Sequence, residues 1–162
     1  MIAWGAWIAG VVVALDQIVK WLVRERLALG ESSAVIPGFF HLTRVHNTGA
    51  AFGVMNGVDF PYKGMVLALA STAALIGLAV YAAMLNHDEK LTRVGLSFVI
   101  GGAIGNLIDR IVAGYVLDFV DVFWQGWHFW AFNVADAAIT VGVSLMVLDL
   151  LGAGRVRVSR TV

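Results

Sequence analysis

Two aspartates in strongly apolar surroundings are the first residues of this sequence that could carry chemistry. Asp118 lies within the apolar stretch 115–120 and Asp136 within the apolar stretch 135–139, and neither has an adjacent basic residue. Two carboxyl groups in contact cannot both ionise, so they share one proton. One group can then act as general base for a water molecule and the other as general acid at a scissile carbonyl, which is the chemistry of an aspartic peptidase. The residues alone leave open whether Asp118 and Asp136 form such a pair.

Two further pairs of charged residues allow a structural as well as a catalytic interpretation. Asp16 and Lys20 are four residues apart and can pair along one helix face, so a structural or lipid-headgroup role competes equally with a catalytic one. Asp109 directly precedes Arg110 at the end of a predicted helix, where an anchoring ion pair is the preferred interpretation. Asp121 lies in an aromatic segment and is expected to be solvated.

Other catalytic arrangements find little support in the sequence. There is no His-Glu-x-x-His zinc motif, and the four histidines lie in a predicted loop or stand alone: His41, His46, His87 and His128. Ser97 and Ser144 lie in apolar stretches without a nearby lysine, which argues against a Ser-Lys dyad. The lack of cysteine removes thiol nucleophiles and thiolate metal sites. We therefore expect neither a metal ion nor another cofactor.

The composition places these residues in a membrane protein. Of the 162 residues, 60% are apolar and 14% are charged, whereas soluble domains have roughly 45–50% apolar and about 25% charged residues. The mean hydropathy of +0.84 indicates that much of the surface faces lipid. Eleven basic and eleven acidic residues cancel, so there is no electrostatic case for nucleic acid as a partner.

Four segments are apolar enough to predict membrane-spanning helices, each of which needs about 20 residues. They cover approximately residues 2–23, 64–85, 93–111 and 129–151 of a single domain, 1–162. The first lacks a basic leader and a cleavage site, so we expect a retained anchor. Segments 24–63 and 112–128 then lie on one side of the membrane. The first of them has weak signals for short strands, and an interfacial aromatic belt is preferred to a binding site for the second.

The polar residues of the predicted spans concentrate at one membrane face. In a four-span chain, the ends of spans one and three share a face with the starts of spans two and four. At this face lie Asp16, Lys20, Asn106, Asp109, Arg110, Asp118, Asn133 and Asp136. A charge at the centre of a spanning helix costs about 2.5–3.5 kcal/mol, so such residues indicate a functional site. Five basic residues on the terminal side against four on the other give a slight preference for cytoplasmic termini.

Five sequence blocks, in order along nearly the whole chain, resemble the bacterial lipoprotein signal peptidases, also called signal peptidase II. The blocks are DQIVK (16–20), VHNTGAAFG (45–53), GGAIGNLIDR (101–110), VLDF (116–119) and FNVADAAI (132–139). The resemblance implies a mainly α membrane protein with four transmembrane helices and a small extracytoplasmic β-cradle between helices 1 and 2, covered by a short helix. It implies cytoplasmic termini in the bacterial inner membrane and an active site toward the extracytoplasmic face.

The resemblance also implies an activity and roles for individual residues. The family is an aspartic endopeptidase family that removes the signal peptide from prolipoproteins by cleaving before the diacylglyceryl-modified cysteine. Asp118 and Asp136 match the catalytic dyad. The supporting or substrate-binding positions are matched by Asp16, Lys20, Asn47, Gly49, Asn106, Asp109, Arg110 and Asn133. The implied partners are diacylglyceryl-modified prolipoproteins and membrane phospholipid, with a monomer as the expected state.

Two hypotheses about the supporting residues and two alternative functions follow. Asn133, one turn before Asp136, is expected to hydrogen-bond at the same helix end, and Asp109 with Arg110 is expected to brace the end of span three. A small ion-coupled transporter component would also place carboxylates between helices, but it usually has broken spans at the midplane. Here the prolines lie outside the spans. A membrane assembly factor without chemistry would explain the packing glycines but not the aspartate pair.

Overall fold

Four helices and a small antiparallel sheet form the computed structural model, which describes residues 2–50, 54–86 and 88–152. The helices are α1 (Ile2–Arg26), α2 (Lys63–Met84), α3 (Lys90–Ala113) and α4 (Val134–Leu150). The sheet contains β1 (Ser32–Ile36), β2 (Phe40–Asn47), β3 (Val116–Trp124) and β4 (Trp127–His128). Motif residues 51–53, His87 and the C-terminal segment 153–162, including three basic residues of the orientation count, lie outside the described residues.

Three of the helices have the length and composition of membrane spans. These segments are Trp4–Arg26, Lys63–Met84 and Lys90–Ala113. Helix α4 has 17 residues and begins at Val134 rather than at residue 129. The chain before it is extended because Phe132 bridges to Val120 of β3, with the amide of Phe132 donating to the Val120 carbonyl at 3.2 Å.

Glycines of α3 bring it into close contact with its neighbours. A Cβ atom on Gly102 would lie 2.4 Å from the carbonyl oxygen of Ala135, and one on Gly142 of α4 would lie 2.4 Å from that of Gly95. Any larger side chain would push the helices apart. The glycines of the string 101–105 therefore serve helix packing.

The sheet is built from the segment between α1 and α2 and the segment between α3 and α4. Its order is β1-β2-β3-β4 with antiparallel neighbours. Strands were predicted only in segment 24–63, whereas the structure also has a strand in segment 112–128, since β3 pairs with β2 through most of its length. The interfacial aromatic belt of this segment stays a prediction. In the described part of segment 24–63 there are two strands and several turns, and the expected covering helix is not among them.

The apolar core of the sheet anchors it to the end of α1. Val23 of α1 packs with Leu117 and Phe119 of β3, and all three side chains are buried. Asp118 lies between those two anchoring residues. The core thus fixes the segment of β3 that carries Asp118 beside the first turn of α4, which carries Asp136.

Candidate active site

Asp118 and Asp136 line one cavity of about 770 Å³, together with Asn47, Asn106 and Arg110. The residues come from β2, α3, β3 and α4, so four elements converge on the cavity. The structure brings together the two aspartates that the sequence left as an open pair. It also places three of the predicted supporting residues in the same wall.

The carboxyl group of Asp118 is held by two side-chain amides. Asn47, at the end of β2, donates from Nδ2 to Oδ2 of Asp118 at 3.0 Å. Asn133, just before α4, donates from Nδ2 to Oδ1 at 2.7 Å. The pairing of Val45 with Asp118 in the β2–β3 register puts Asn47 within reach.

Gly49 orients the amide of Asn47 and leaves room for the chain that follows. Its backbone N–H donates to Oδ1 of Asn47 at 3.0 Å, which turns Nδ2 toward Asp118. A Cβ atom on Gly49 would lie 2.2 Å from the Val54 carbonyl oxygen, a separation that real Cβ atoms do not adopt. Glycine is required here by close backbone approach.

The carboxyl group of Asp136 belongs to the N-terminal cap of α4. The backbone N–H of Asp136 donates to Oδ1 of Asn133 at 2.9 Å, and the N–H of Asn133 donates to Oδ2 of Asp136 at 3.2 Å, which forms a capping box. Asn106 of α3 donates from Nδ2 to Oδ1 at 2.8 Å. The hypothesis that Asn133 hydrogen-bonds at this helix end is confirmed, and each of the four aspartate oxygens accepts one hydrogen bond.

Burial and charge keep a proton on the pair near neutral pH. Asp118 is 2% exposed. Its burial and, secondly, the negative charge of Asp136 raise the pKa of Asp118 to about 7, while the donors Asn47 and Asn133 oppose the shift. One protonated and one ionised carboxyl group can therefore coexist here, which is the state that acid–base chemistry at a carbonyl needs.

Asp16 and Lys20 lie behind the cavity wall in a buried ion cluster. The Lys20 Nζ atom is 2.8 Å from Oδ2 of Asp16, 2.9 Å from Oδ2 of Asp109 and 3.0 Å from Oδ1 of Asn106. Arg24 adds a contact of 2.9 Å to Oδ1 of Asp109. Of the two roles left open for Asp16 and Lys20, these contacts favour the structural one.

Asp109 and Arg110 do not pair with each other, so the anchoring ion pair was a wrong prediction. Neighbouring residues on a helix point in different directions. Asp109 turns to the ion cluster and accepts the N–H of Leu117 at 3.0 Å. Arg110 turns to the cavity and donates to the Gly49 carbonyl at 3.3 Å.

Asp121 is bound within the sheet and not simply solvated as predicted. Its Oδ1 atom is 2.8 Å from Nδ1 of His128, and its Oδ2 accepts a hydrogen bond from Thr43 at 3.3 Å. The sequence suggested that His128 stands alone, and its contact with Asp121 shows that this prediction was wrong. Across the described ranges, no three His, Cys, Asp or Glu side chains come together as a metal site.

Comparison with known proteins identifies this arrangement of blocks. A sequence model of the family described as Signal peptidase (SPase) II matches residues 8–152. The chain belongs to the signal peptidase II family. The lipoprotein signal peptidase of Symbiobacterium thermophilum is 46% identical over 145 residues, which cover 89% of this chain and 91% of that protein. That of Syntrophotalea carbinolica is 45% identical over 141 residues, covering 87% and 86%.

A solved structure supports the same assignment to signal peptidase II. It is a bacterial membrane enzyme structure obtained by the in meso method at 2.3 Å resolution. It superposes with a TM-score of 0.83 at 32% identity, covering 100% of this chain and 96% of that one. The chain is thus a protease of a membrane enzyme family, and the transporter alternative gains no support.

Sequence reasoning missed how the signal peptidase II site is connected. Asn133 bridges the two aspartates, because its side chain binds Asp118 and caps the helix of Asp136. The signal was present as an Asn-x-x-Asp spacing at a predicted helix start, which is a capping-box pattern with Asp in place of Glu. No local sequence pattern predicts that the Asn133 amide donates to Asp118.

Proposed function

We propose that this signal peptidase II is an aspartic endopeptidase with Asp118 and Asp136 as the catalytic pair. It removes the signal peptide from prolipoproteins by cleaving before the diacylglyceryl-modified cysteine. The observation that carries the proposal is the pair itself: the buried Asp118 and the half-buried Asp136 lie in one cavity, with each carboxyl oxygen fixed by one donor. Relatives that are lipoprotein signal peptidases, at 40–46% identity, support the substrate class.

The proposed mechanism assigns a different role to each of the two groups. Asp118, whose pKa is raised to about 7, carries the shared proton, and Asp136 is the ionised base. Asp136 removes a proton from water as the water oxygen bonds to the scissile carbonyl carbon, while Asp118 protonates the carbonyl oxygen. The resulting diol collapses as the peptide C–N bond breaks. Asp136 returns its proton to the leaving amine, and Asp118 recovers its own.

The cavity suits a substrate that keeps its acyl chains in lipid. Its walls include Ser71 and Ala74 of α2 and Thr140 of α4, so it reaches between these helices toward the bilayer. We place all four helices across the bacterial inner membrane. Helix α4 is about 26 Å long, near the ~30 Å of the hydrocarbon core, and the exposed Trp130 before it suits the interface.

The orientation follows from the proposed substrate. Prolipoproteins present their cleavage site at the outer face, so the two aspartates lie toward the extracytoplasmic side and the termini in the cytoplasm. The protein is proposed to act as a monomer surrounded by phospholipid, because a single chain contains both aspartates and the donors that hold them.

The decisive test is cleavage of a purified diacylglyceryl-modified prolipoprotein in detergent. Asp118→Asn and Asp136→Asn should each lower the rate by at least about 10³-fold, because acid and base are both required, and the double variant should be no worse. Asp121→Asn is the matched control and should cleave normally. Activity should persist with a strong metal chelator. Near-normal cleavage by either of the first two variants would show that the chemistry lies elsewhere.

A further inference from the structure

Lys63, the first residue of α2, is a buried lysine whose ammonium group contacts neutral oxygens within the described part of the chain. The side chain is 9% exposed. Its Nζ atom donates to the carbonyl oxygens of Met55 at 2.6 Å and Val58 at 2.7 Å, and to Oγ1 of Thr48 at 3.4 Å. A buried charge is costly unless its hydrogen-bonding capacity is met. All three donors of the ammonium group are used on one short segment of chain.

That segment is the 48–58 loop, described here by its two arms, 48–50 and 54–58. The backbone N–H of Ala50 donates to the Val54 carbonyl at 2.8 Å, and Oγ1 of Thr48 donates to Oδ1 of Asn56 at 3.3 Å. Lys63 contacts both arms, because Thr48 belongs to the first and Met55 and Val58 to the second. The lysine is therefore a third and charged link between the arms.

Backbone conformation around Lys63 indicates that this link holds the chain in an unfavourable shape. Met55, whose carbonyl accepts the shortest of the three hydrogen bonds, has φ 70°, and Tyr62, immediately before Lys63, has φ 63°. Non-glycine residues rarely adopt the left-handed region, and they persist there where surrounding contacts over-determine the structure. The Lys63 ammonium is such a contact for Met55.

The first arm of the loop continues directly from the cavity wall. Asn47 and Ala50 line the cavity, and Asn47 donates to Asp118. Arg110, which lines the cavity, donates to the Gly49 carbonyl, while Lys63, which is not among the lining residues, donates to Thr48 of the same arm. The 48–50 arm, which follows Asn47 directly and contains Ala50, is thus held by two cations.

We propose that Lys63 is a positioning residue for substrate cleavage, which holds arm 54–58 against arm 48–50 and so keeps Asn47 and Ala50 in the cavity wall. Lys63 does not touch the substrate. Its effect is expected on substrate binding and on the Asn47 to Asp118 hydrogen bond. The inference rests on the proposed function, and its test includes a measurement that needs no activity.

The kinetic test compares Lys63→Met, Lys63→Arg and the control Lys90→Met, which changes the exposed first residue of α3 in the same way. Lys63→Met should lower kcat/KM about tenfold, mainly through KM, because a looser wall binds substrate less well without removing the acid or base. Lys63→Arg, which can still donate to both carbonyls, should remain within about threefold of wild type. Lys90→Met should be unchanged. An unaltered KM in Lys63→Met would overturn the inference.

The pH profile gives a second readout that general destabilisation would not move. A weakened Asn47 donor raises the pKa of Asp118, so the alkaline limb of the rate profile should move to higher pH in Lys63→Met and return in Lys63→Arg. An alkaline limb identical to that of wild type in a variant with raised KM would show that Lys63 does not act through Asn47, and would overturn that step.

Hydrogen exchange of peptides covering residues 48–58 tests the link without substrate. In Lys63→Met this loop should exchange about tenfold faster, while α3 exchanges as in wild type. If Lys63→Met does not fold, Lys63→Gln, which keeps a neutral amide donor at this position, should give a smaller acceleration. Unchanged loop exchange in these variants would refute the inference. Failure of wild type to cleave prolipoprotein would instead refute the proposed function.

Discussion

Replacing Lys20 by methionine is expected to destabilise the protein strongly, although Lys20 lies outside the cavity. Its side chain is fully buried, and it contacts the buried carboxylates of Asp16 and Asp109. Methionine preserves most of the volume, so the cavity term is small. The dominant cost is the loss of the cation that compensates two buried anions.

The magnitude follows from what each carboxylate retains. Asp109 keeps Arg24 and the N–H of Leu117, whereas Asp16 keeps the N–H of Ala135 and a 3.1 Å hydrogen bond from Gln17. Removing one partner of a buried ion pair costs about 3–5 kcal/mol, and we expect Lys20→Met to fall in this range. Arg24→Met is the control: its side chain is 29% exposed, so we expect a loss of about 1 kcal/mol.

Denaturant unfolding in detergent at neutral pH measures these differences. The double variant Lys20→Met with Asp16→Asn should recover part of the lost stability, because the carboxylate that is left without a cation has been neutralised while the acceptor for the N–H of Ala135 is kept. Equal stabilities of Lys20→Met and Arg24→Met, or a double variant less stable than Lys20→Met, would refute the role assigned to buried charge.

Two further predictions concern the acid–base pair and the orientation in the membrane. Asn47→Ala removes a donor that favours ionised Asp118, so the pKa of Asp118 should rise above about 7. The alkaline limb of the cleavage-rate profile should therefore shift to higher pH. A shift to lower pH would contradict the assignment of the proton to Asp118. Because the chain has no cysteine, a single introduced cysteine can be tested with a reagent added on one side of the membrane or the other. Ser33→Cys should react only from outside and Asn86→Cys only from the cytoplasm. The reverse pattern would invert the proposed topology.

Local sequence rules predicted those parts of the site that depend on helix geometry. The four-residue spacing of Asp16 and Lys20 predicted a pair on one helix face, and the structure contains it. The same geometry should have excluded a pair between Asp109 and Arg110, since adjacent helical residues diverge by about 100°. The wrong prediction arose because the two residues were paired by their opposite charges without considering the directions of their side chains.

The contacts that join distant parts of the chain had no local signal. Strand β3 was missed because its nine residues, VLDFVDVFW, are mostly apolar on both faces and do not alternate between apolar and polar. Its partner β2 is also distant in sequence, since the paired residues are 69 to 82 positions apart. The Asn47 contact to Asp118 depends on that pairing. The resemblance to a family named both residues, but only the paired strands explain why Asn47 meets this carboxyl group.

The Lys20 cluster gives Asp118 and Asp136 a common reference point. The residue before each aspartate has its N–H bound by a carboxylate of the cluster, Leu117 by Asp109 and Ala135 by Asp16. Both carboxylates meet at Lys20 on α1. Helix α2, which forms another wall of the cavity, packs mainly on α3. The separation of the two carboxyl groups is therefore set by the cluster, whereas α2 contacts the site through Lys63 and the segments 48–50 and 54–58.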